Sequence, residues 1–301
     1  CLRGEEVSLR TMEIEQPMIS IIVPSYQQGR YIRHCIESIL AQEGVQVEVI
    51  VFDSESRDET VEVLKAFDGR AKVFIEKDLG QSHAINKGLQ VCSGDIVGFL
   101  NSDDVLLPGT LGRVVDYWRE NPSTDLLYGK ATYIDEKGDV IADYRTKDWD
   151  WERFQGECFI CQPAAFWSRR IMNNIGFLDQ RLNCSIDYDY WLRIVQASGV
   201  VGQIDEYLAC SRDYPETKTR SLRGNVFIEN FQISLRRLGY VHRSWISQVM
   251  DFFKYERKTF FGPAIPAHGK FRDFLTRIAQ SISSVFARDV YVTEKPYEQI
   301  I

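Results

Sequence analysis

The chain has 301 residues, 44% of them hydrophobic and 26% charged, with nine prolines and twenty glycines. That is an ordinary globular composition with length for a well-buried core, and it excludes a collagen-like, disordered or low-complexity chain. Thirty-six basic against forty-three acidic side chains give a net charge of −7, which argues against a general nucleic-acid binder.

The first half alternates between two hydrophobic periods. Met18–Pro24 reads as a buried strand, and Tyr31–Ala41 as a helix with Tyr31, Cys35, Ile36, Ile39 and Leu40 on one face. Val47–Phe52 is a second strand, Ser56–Phe67 a helix, Lys72–Ile75 a third strand, Gln81–Val91 a helix and Asp95–Leu100 a fourth strand. A helix over Leu111–Glu120 follows, then strands at Leu126–Tyr128, Thr132–Ile134 and Val140–Tyr144, and a helix over Tyr188–Gln196. Strands and helices in this alternation predict an α/β fold with a mostly parallel sheet covered by helices on both faces. Such sheets bind ligands beyond the carboxyl ends of their strands.

The strand exits are polar. The first ends in Pro24-Ser25-Tyr26-Gln27-Gln28-Gly29 and the second in Asp53-Ser54-Glu55-Ser56. After the third comes Asp78-Leu79-Gly80-Gln81, and the fourth runs into Asn101-Ser102-Asp103-Asp104. Ser and Asp in such places also cap helices, which is the expected role of Ser54, Ser56, Asp58 and Ser82. Asp103 and Asp104 stand together after an apolar strand and repel each other. A solvated turn relieves that repulsion, and so does a hard divalent cation such as Mg2+ or Mn2+. The pair alone admits both readings.

Taken in order, PSYQQGRYI, VIVFDSESRDET, DLGQSHAINKG, GDIVGFLNSDDVLLPGTL and IDYDYWLRI resemble the family 2 glycosyltransferases, inverting enzymes of the GT-A fold. The five blocks span residues 18–213. The resemblance implies that Pro24 and Tyr26 line the base pocket of a nucleotide-sugar and that Asp53 hydrogen-bonds the base. It places Asp78, Gln81, Asn86, Lys87, Asn101 and Ser102 around the nucleotide and sugar. Asp103 corresponds to the metal-binding carboxylate of the family's DxD motif, and the first acidic position of that motif is Asn101 here.

Asp187 corresponds to the catalytic base, with Ile186 in place of the usual preceding acid. A carboxylate there would take the proton of the acceptor hydroxyl as it attacks the anomeric carbon. Without the resemblance, Asp187 reads as a helix cap and Asp189 as a first-turn acid favoured by the helix dipole. Arg212, Lys218 and Arg220 follow in a segment that is basic in related enzymes, read either as cations for the diphosphate leaving group or as a solvated loop. Gln162 is expected on the acceptor side, with Trp191 read either as a sugar-stacking platform there or as a core residue.

Other signals point nowhere specific. Cys158 and Cys161 form a lone CxxC read as structural thiols, and the four histidines have no metal-binding spacing. No glycine-rich phosphate loop follows the first strand, which disfavours dehydrogenases, P-loop enzymes and nucleotidyltransferases.

The expected organisation is an N-terminal extension over 1–17, a glycosyltransferase domain over 18–239 and a helical extension over 240–301. That extension carries nine Lys/Arg and six Asp/Glu, or +3, against −10 for the rest. Its Asp251–Phe261 stretch interleaves aromatic and basic residues and is suited to peripheral membrane contact through residues 245–301, although packing on the catalytic domain is the plainer reading. No apolar run approaches the roughly 18 residues a bilayer span requires, no signal-peptide pattern is visible, and seven cysteines at irregular spacings do not suggest a disulfide framework.

The expectation is therefore a cytoplasmic, metal-dependent enzyme moving a sugar, from a UDP-sugar in particular, to a saccharide or lipid-linked acceptor in polysaccharide or glycoconjugate biosynthesis. The alternative is a non-catalytic nucleotide- or glycan-binding scaffold of the same fold, favoured by Asn101 and Ile186.

Overall fold

Nine strands form a single sheet in this computed structural model, which describes residues 17–251. The first half follows the predicted alternation closely: β1 (Ile19–Ser25), α1 (Gly29–Leu40), β2 (Val47–Asp53), α2 (Thr60–Lys65), β3 (Lys72–Ile75), α3 (Gln81–Val91) and β4 (Ile96–Phe99). Strands β3, β2, β1 and β4 lie side by side and all run parallel, so their carboxyl ends share one rim.

The remaining elements are β5 (Val105–Leu106), α4 (Thr110–Glu120), β6 (Thr124–Ile134), β7 (Val140–Asp143), α5 (Trp151–Phe154), β8 (Ala165–Ser168), α6 (Arg169–Ile175), α7 (Ile186–Gln196), β9 (Val200–Arg212), α8 (Lys218–Ser221), α9 (Arg223–Leu238) and α10 (Arg243–Asp251). The sheet continues from β4 through β8, β6 and β9 to β5, with β7 hydrogen-bonded to β6. Pairing in this half is mixed: β8 is antiparallel to β4 and β6, whereas β9 runs parallel to β6.

Two apolar layers sandwich the sheet. One joins Ile32, Cys35, Ile36 and Ile39 of α1 to Ile19, Ile21 and Val23 of β1 and to Leu111 and Val114 of α4. The other joins Ile85 and Leu89 of α3 to the aromatic side chains of α5, β8 and α7. Close packing of α3 on the sheet depends on Gly88, where a Cβ would lie 2.5 Å from Ile22 Cγ2.

Several boundaries differ from expectation: α1 begins at Gly29 rather than Tyr31, and the strands expected at Leu126–Tyr128 and Thr132–Ile134 are one continuous β6. Helix α2 begins at Thr60 rather than Ser56, because side chains organise the preceding turn: Ser56 N donates to Asp53 and Thr60 N to Asp58. Helix α7 begins two residues earlier than its apolar pattern indicates, which brings Asp187 into its first turn.

Beyond Gly239, α10 returns to the main core. Trp245 is buried with its ring 5.5 Å from that of Tyr188, and its indole N–H donates to Gln155 O. The aromatic and basic stretch 252–261, suggested above for membrane contact, lies outside the described residues. No helix among the described residues is long and apolar enough to cross a membrane.

Candidate active site

The turns after β1 and β2 form the first wall. Asp53 is fully buried and its carboxylate is occupied: Oδ1 accepts from Ser56 N, while Oδ2 accepts from Ser25 Oγ at 2.8 Å and Ser56 Oγ at 2.7 Å. Asp53, expected at the base, thus lies outside the residues that line the cavity. Asp53 ties the two strand exits together, and the neighbouring Ser54 faces the cavity with Pro24, Ser25 and Tyr26. Tyr26 is 58% exposed on the rim. Gln27 and Glu55 adopt left-handed backbone conformations, at φ 52° and 53°, a costly geometry for non-glycine residues that recurs where loops are shaped around ligands.

The loop before α3 supplies a second wall. Asp78 lines the cavity, and its Oδ1 accepts from Gly80 N at 2.7 Å, with Gly80 at φ 122°. Gln81 lines it as well. Asn86 and Lys87 do not. Asn86 is buried beneath the loop, clamped to both backbone groups of Leu178 at 2.9 Å. Lys87 pairs with Glu76 at 2.9 Å and donates to Lys77 O. For both, the sequence block was legible but the side-chain direction was not.

At the exit of β4 the polar groups interlock. Asn101 Oδ1 accepts from Gln81 Nε2 at 2.6 Å, while its Nδ2 donates to Asp104 Oδ2 at 3.1 Å and Gln162 Oε1 at 3.2 Å. Gln162 in turn donates to Phe99 O. Asp104 is buried, and its other oxygen accepts from Arg212 N at 2.7 Å. Burial, reinforced by the charge of Asp103, raises the Asp104 carboxyl well above the carboxylate range.

Asp103 lines the cavity, and its Oδ2 accepts from the Tyr214 hydroxyl at 2.9 Å. Burial pushes its carboxyl up, opposed by the Tyr214 hydrogen bond. Ser102 is buried against the cavity wall. Arg212 reaches the site as scaffold: its guanidinium donates to Asp103 O and Asp135 O and lies 4.6 Å over the Tyr31 ring.

A further wall is the first turn of α7. Asp187 lines the cavity, and burial raises its carboxyl to about 6 despite a hydrogen bond from Tyr188 N at 2.8 Å. Three residues C-terminal to Tyr188, Trp191 is 0% exposed and packs edge-on against Trp167, with ring centroids 5.5 Å apart. Of the two places expected for Trp191, its ring takes the core one, turned there by helical spacing.

The segment after β9 crosses the cavity mouth. Lys218 Nζ donates to Gln81 Oε1 at 2.9 Å and to Asn183 O at 3.3 Å, and burial lowers its pKa. Arg220 lines the cavity while paired with Asp213 at 2.7 Å. Tyr214 was not singled out from the sequence, and its position two residues after Arg212 was the available signal.

One cavity of about 850 Å³ joins these walls, and Asp103 and Asp187 both open onto it. Its size suits a nucleotide-bearing ligand. Among the described residues no cluster of three or more His, Cys, Asp or Glu could by itself hold a metal ion. Mg2+ and Mn2+ commonly use one or two carboxylates completed by substrate phosphates, and the donor set around Asp103 fits that pattern as a one-carboxylate site.

Residues 20–175, just over half the chain, match the family described as Glycosyl transferase family 2. Escherichia coli chondroitin synthase is 28% identical over 199 residues, covering 64% of this chain and 28% of that protein. The crystal structure of S. aureus TarS 1-349 in complex with UDP-GlcNAc superposes with a TM-score of 0.67 at 16% identity, over 89% of this chain and 81% of that one. The mannosyltransferase PcManGT from Pyrobaculum calidifontis, in complex with GDP-Man and Mn2+, superposes at 0.57 and 15% identity, over 91% and 76% of the two chains. The fold is thus that of GT-A glycosyltransferases, and with the family match running from β1 through β8 and including the exits of β1 to β4 that line the cavity, this chain belongs to glycosyl transferase family 2.

Proposed function

We propose that the protein transfers a sugar, with inversion, from a UDP-sugar to a hydroxyl of a saccharide or lipid-linked acceptor. The observation that carries this reading is the shared cavity of Asp103 and Asp187. The nucleotide lies along Pro24, Ser25, Tyr26 and Ser54, with Asp78 and Gln81 toward the ribose and diphosphate. Asp103 would hold a divalent cation, which when bound supplies positive charge to the diphosphate.

Asp187, lining the same cavity, acts as general base. Its carboxylate accepts the acceptor hydroxyl proton as that oxygen bonds to the anomeric carbon. The bond from that carbon to the diphosphate oxygen breaks on the opposite face, and the nucleoside diphosphate leaves with the electron pair. A carboxyl raised to about 6 is a stronger base than an ordinary aspartate yet remains ionised at neutral pH. Lys218, Arg220 and Arg223 also line the cavity and would stabilise the charge that the leaving group gains.

The resemblance to chondroitin synthase supports a role in polysaccharide or glycoconjugate synthesis. The test is calorimetric binding of UDP with and without Mn2+. Wild type should gain affinity from Mn2+ and Asp103→Ala should lose that gain; an unchanged Mn2+ effect in Asp103→Ala would remove Asp103 from the metal site.

A further inference from the structure

Glu229 lies on α9, beyond the segment that matches the family and outside the cavity wall. Its carboxylate nonetheless reaches the turn that leads into α7. Oε1 accepts from Asn183 N at 2.9 Å, and Oε2 accepts from Cys184 N at 2.8 Å and Ser185 N at 2.9 Å. Helix α7 begins at the next residue and carries Asp187 in its first turn. Ser185 gives that helix no side-chain cap, so the carboxylate from α9 takes up donors at its start.

The same turn anchors a second part of the site. Asn183 accepts from Lys218 Nζ through both its backbone and side-chain oxygens, each at 3.3 Å. One side chain on a C-terminal helix therefore holds the backbone from which both the base and the Lys218 contact depend.

We propose that Glu229 is a positioning residue for the base: by gripping the 183–185 backbone it fixes the first turn of α7 and so the Asp187 carboxylate. This rests on Asp187 being the base. The groups around Asp187 leave Glu229 a second, electrostatic effect. Tyr144 beyond β7, Cys158 and Cys161 before β8, and Cys184 beside the turn have pKa values raised by burial and are uncharged at neutral pH. The charge of Glu229 adds to the burial that raises Asp187. A purely structural cap would shape the turn without setting where Asp187 titrates.

The experiment titrates Asp187 directly in the full chain, by 13C NMR of aspartate-labelled protein without ligand, the signal being assigned by its loss in Asp187→Asn. Glu229→Gln keeps one oxygen acceptor and removes the charge, and its Asp187 midpoint should fall below that of wild type. Glu229→Asp keeps the charge but shortens the reach. It should lower the kcat for UDP-GlcNAc turnover with Mn2+ about 10–100-fold, the cost of a misplacement near 1 Å, with UDP affinity within about twofold of wild type.

An Asp187 midpoint unmoved in folded Glu229→Gln, or wild-type kcat in Glu229→Asp, overturns the proposal. Turnover retained by Asp187→Asn would instead overturn the assignment of the base, and the two failures are read from different proteins.

Discussion

The Tyr214 hydroxyl donates to Oδ2 of Asp103 at 2.9 Å, joining the segment after β9 to the carboxylate that follows β4, 111 positions earlier in the chain. Its ring lies 5.4 Å from that of Tyr31, which in turn sits beneath the Arg212 guanidinium. The phenol is thus held by aromatic packing while it fixes one carboxylate oxygen, Oδ2, of the residue proposed above to hold a cation.

Partners that orient a metal-binding carboxylate are worth about 10–100-fold in metal affinity. Tyr214→Phe should weaken Mn2+ binding in the presence of UDP by that factor, with little change in thermal stability. Electron paramagnetic resonance of free Mn2+ measures it directly. Unchanged affinity would reduce the contact to packing.

Asn101 is predicted to resist conversion to the acidic residue usual in relatives. Its amide nitrogen donates to Asp104 and Gln162, so Asn101→Asp sets oxygen against oxygen at both contacts. The loss should be about 1–3 kcal/mol in urea denaturation, without tighter Mn2+ binding. A variant of wild-type stability that binds Mn2+ more tightly would contradict the network.

The Asp187 carboxyl titrates near 6, above the ordinary 3.8, because burial penalises its charge. The sign follows: the native state binds this proton more tightly than the unfolded chain. Its contribution to stability is therefore complete below pH 3.8 and is lost as pH rises through about 6. Asp187→Asn should be more stable than wild type at pH 7.5 by up to about 3 kcal/mol, measured by urea denaturation, and the difference should vanish near pH 4. Equal stability at both pH values would mean that the carboxylate is well solvated.

Catalysis runs the other way, since only the ionised carboxylate accepts a proton. The pH profile of kcat/KM should fall below about pH 6 with a slope of one, reporting the free enzyme. A profile flat down to pH 5 would exclude Asp187 as the titrating base.

Trp191 tests the core placement seen in α7. Truncation of a fully buried tryptophan costs about 3–5 kcal/mol, so Trp191→Ala should destabilise the whole domain. Wild-type stability with selective loss of acceptor affinity would restore the stacking role.

What the sequence disclosed followed physical regularity. Alternating hydrophobic periods located β1 through β4 within a residue or two, and the rule that α/β sheets bind ligands at strand exits led to Asp78, Asn101 and Asp103. Side-chain direction was hidden. Asp53 and Ser54 are adjacent in one exit, yet one is sealed by three hydrogen bonds and the other faces the cavity. Whether a residue at such an exit points inward depends on turn geometry that no periodicity encodes. Tyr214 and Glu229 escaped for another reason: each acts across the fold, at separations only tertiary packing brings together.

The central claim is that Asp187 removes a proton during transfer and takes no part in holding the donor. Measuring UDP-sugar turnover and UDP affinity in Asp187→Asn with Mn2+ tests it most directly. The account predicts turnover lost by about 1,000-fold or more and UDP bound as in wild type. Turnover near the wild-type rate would contradict it.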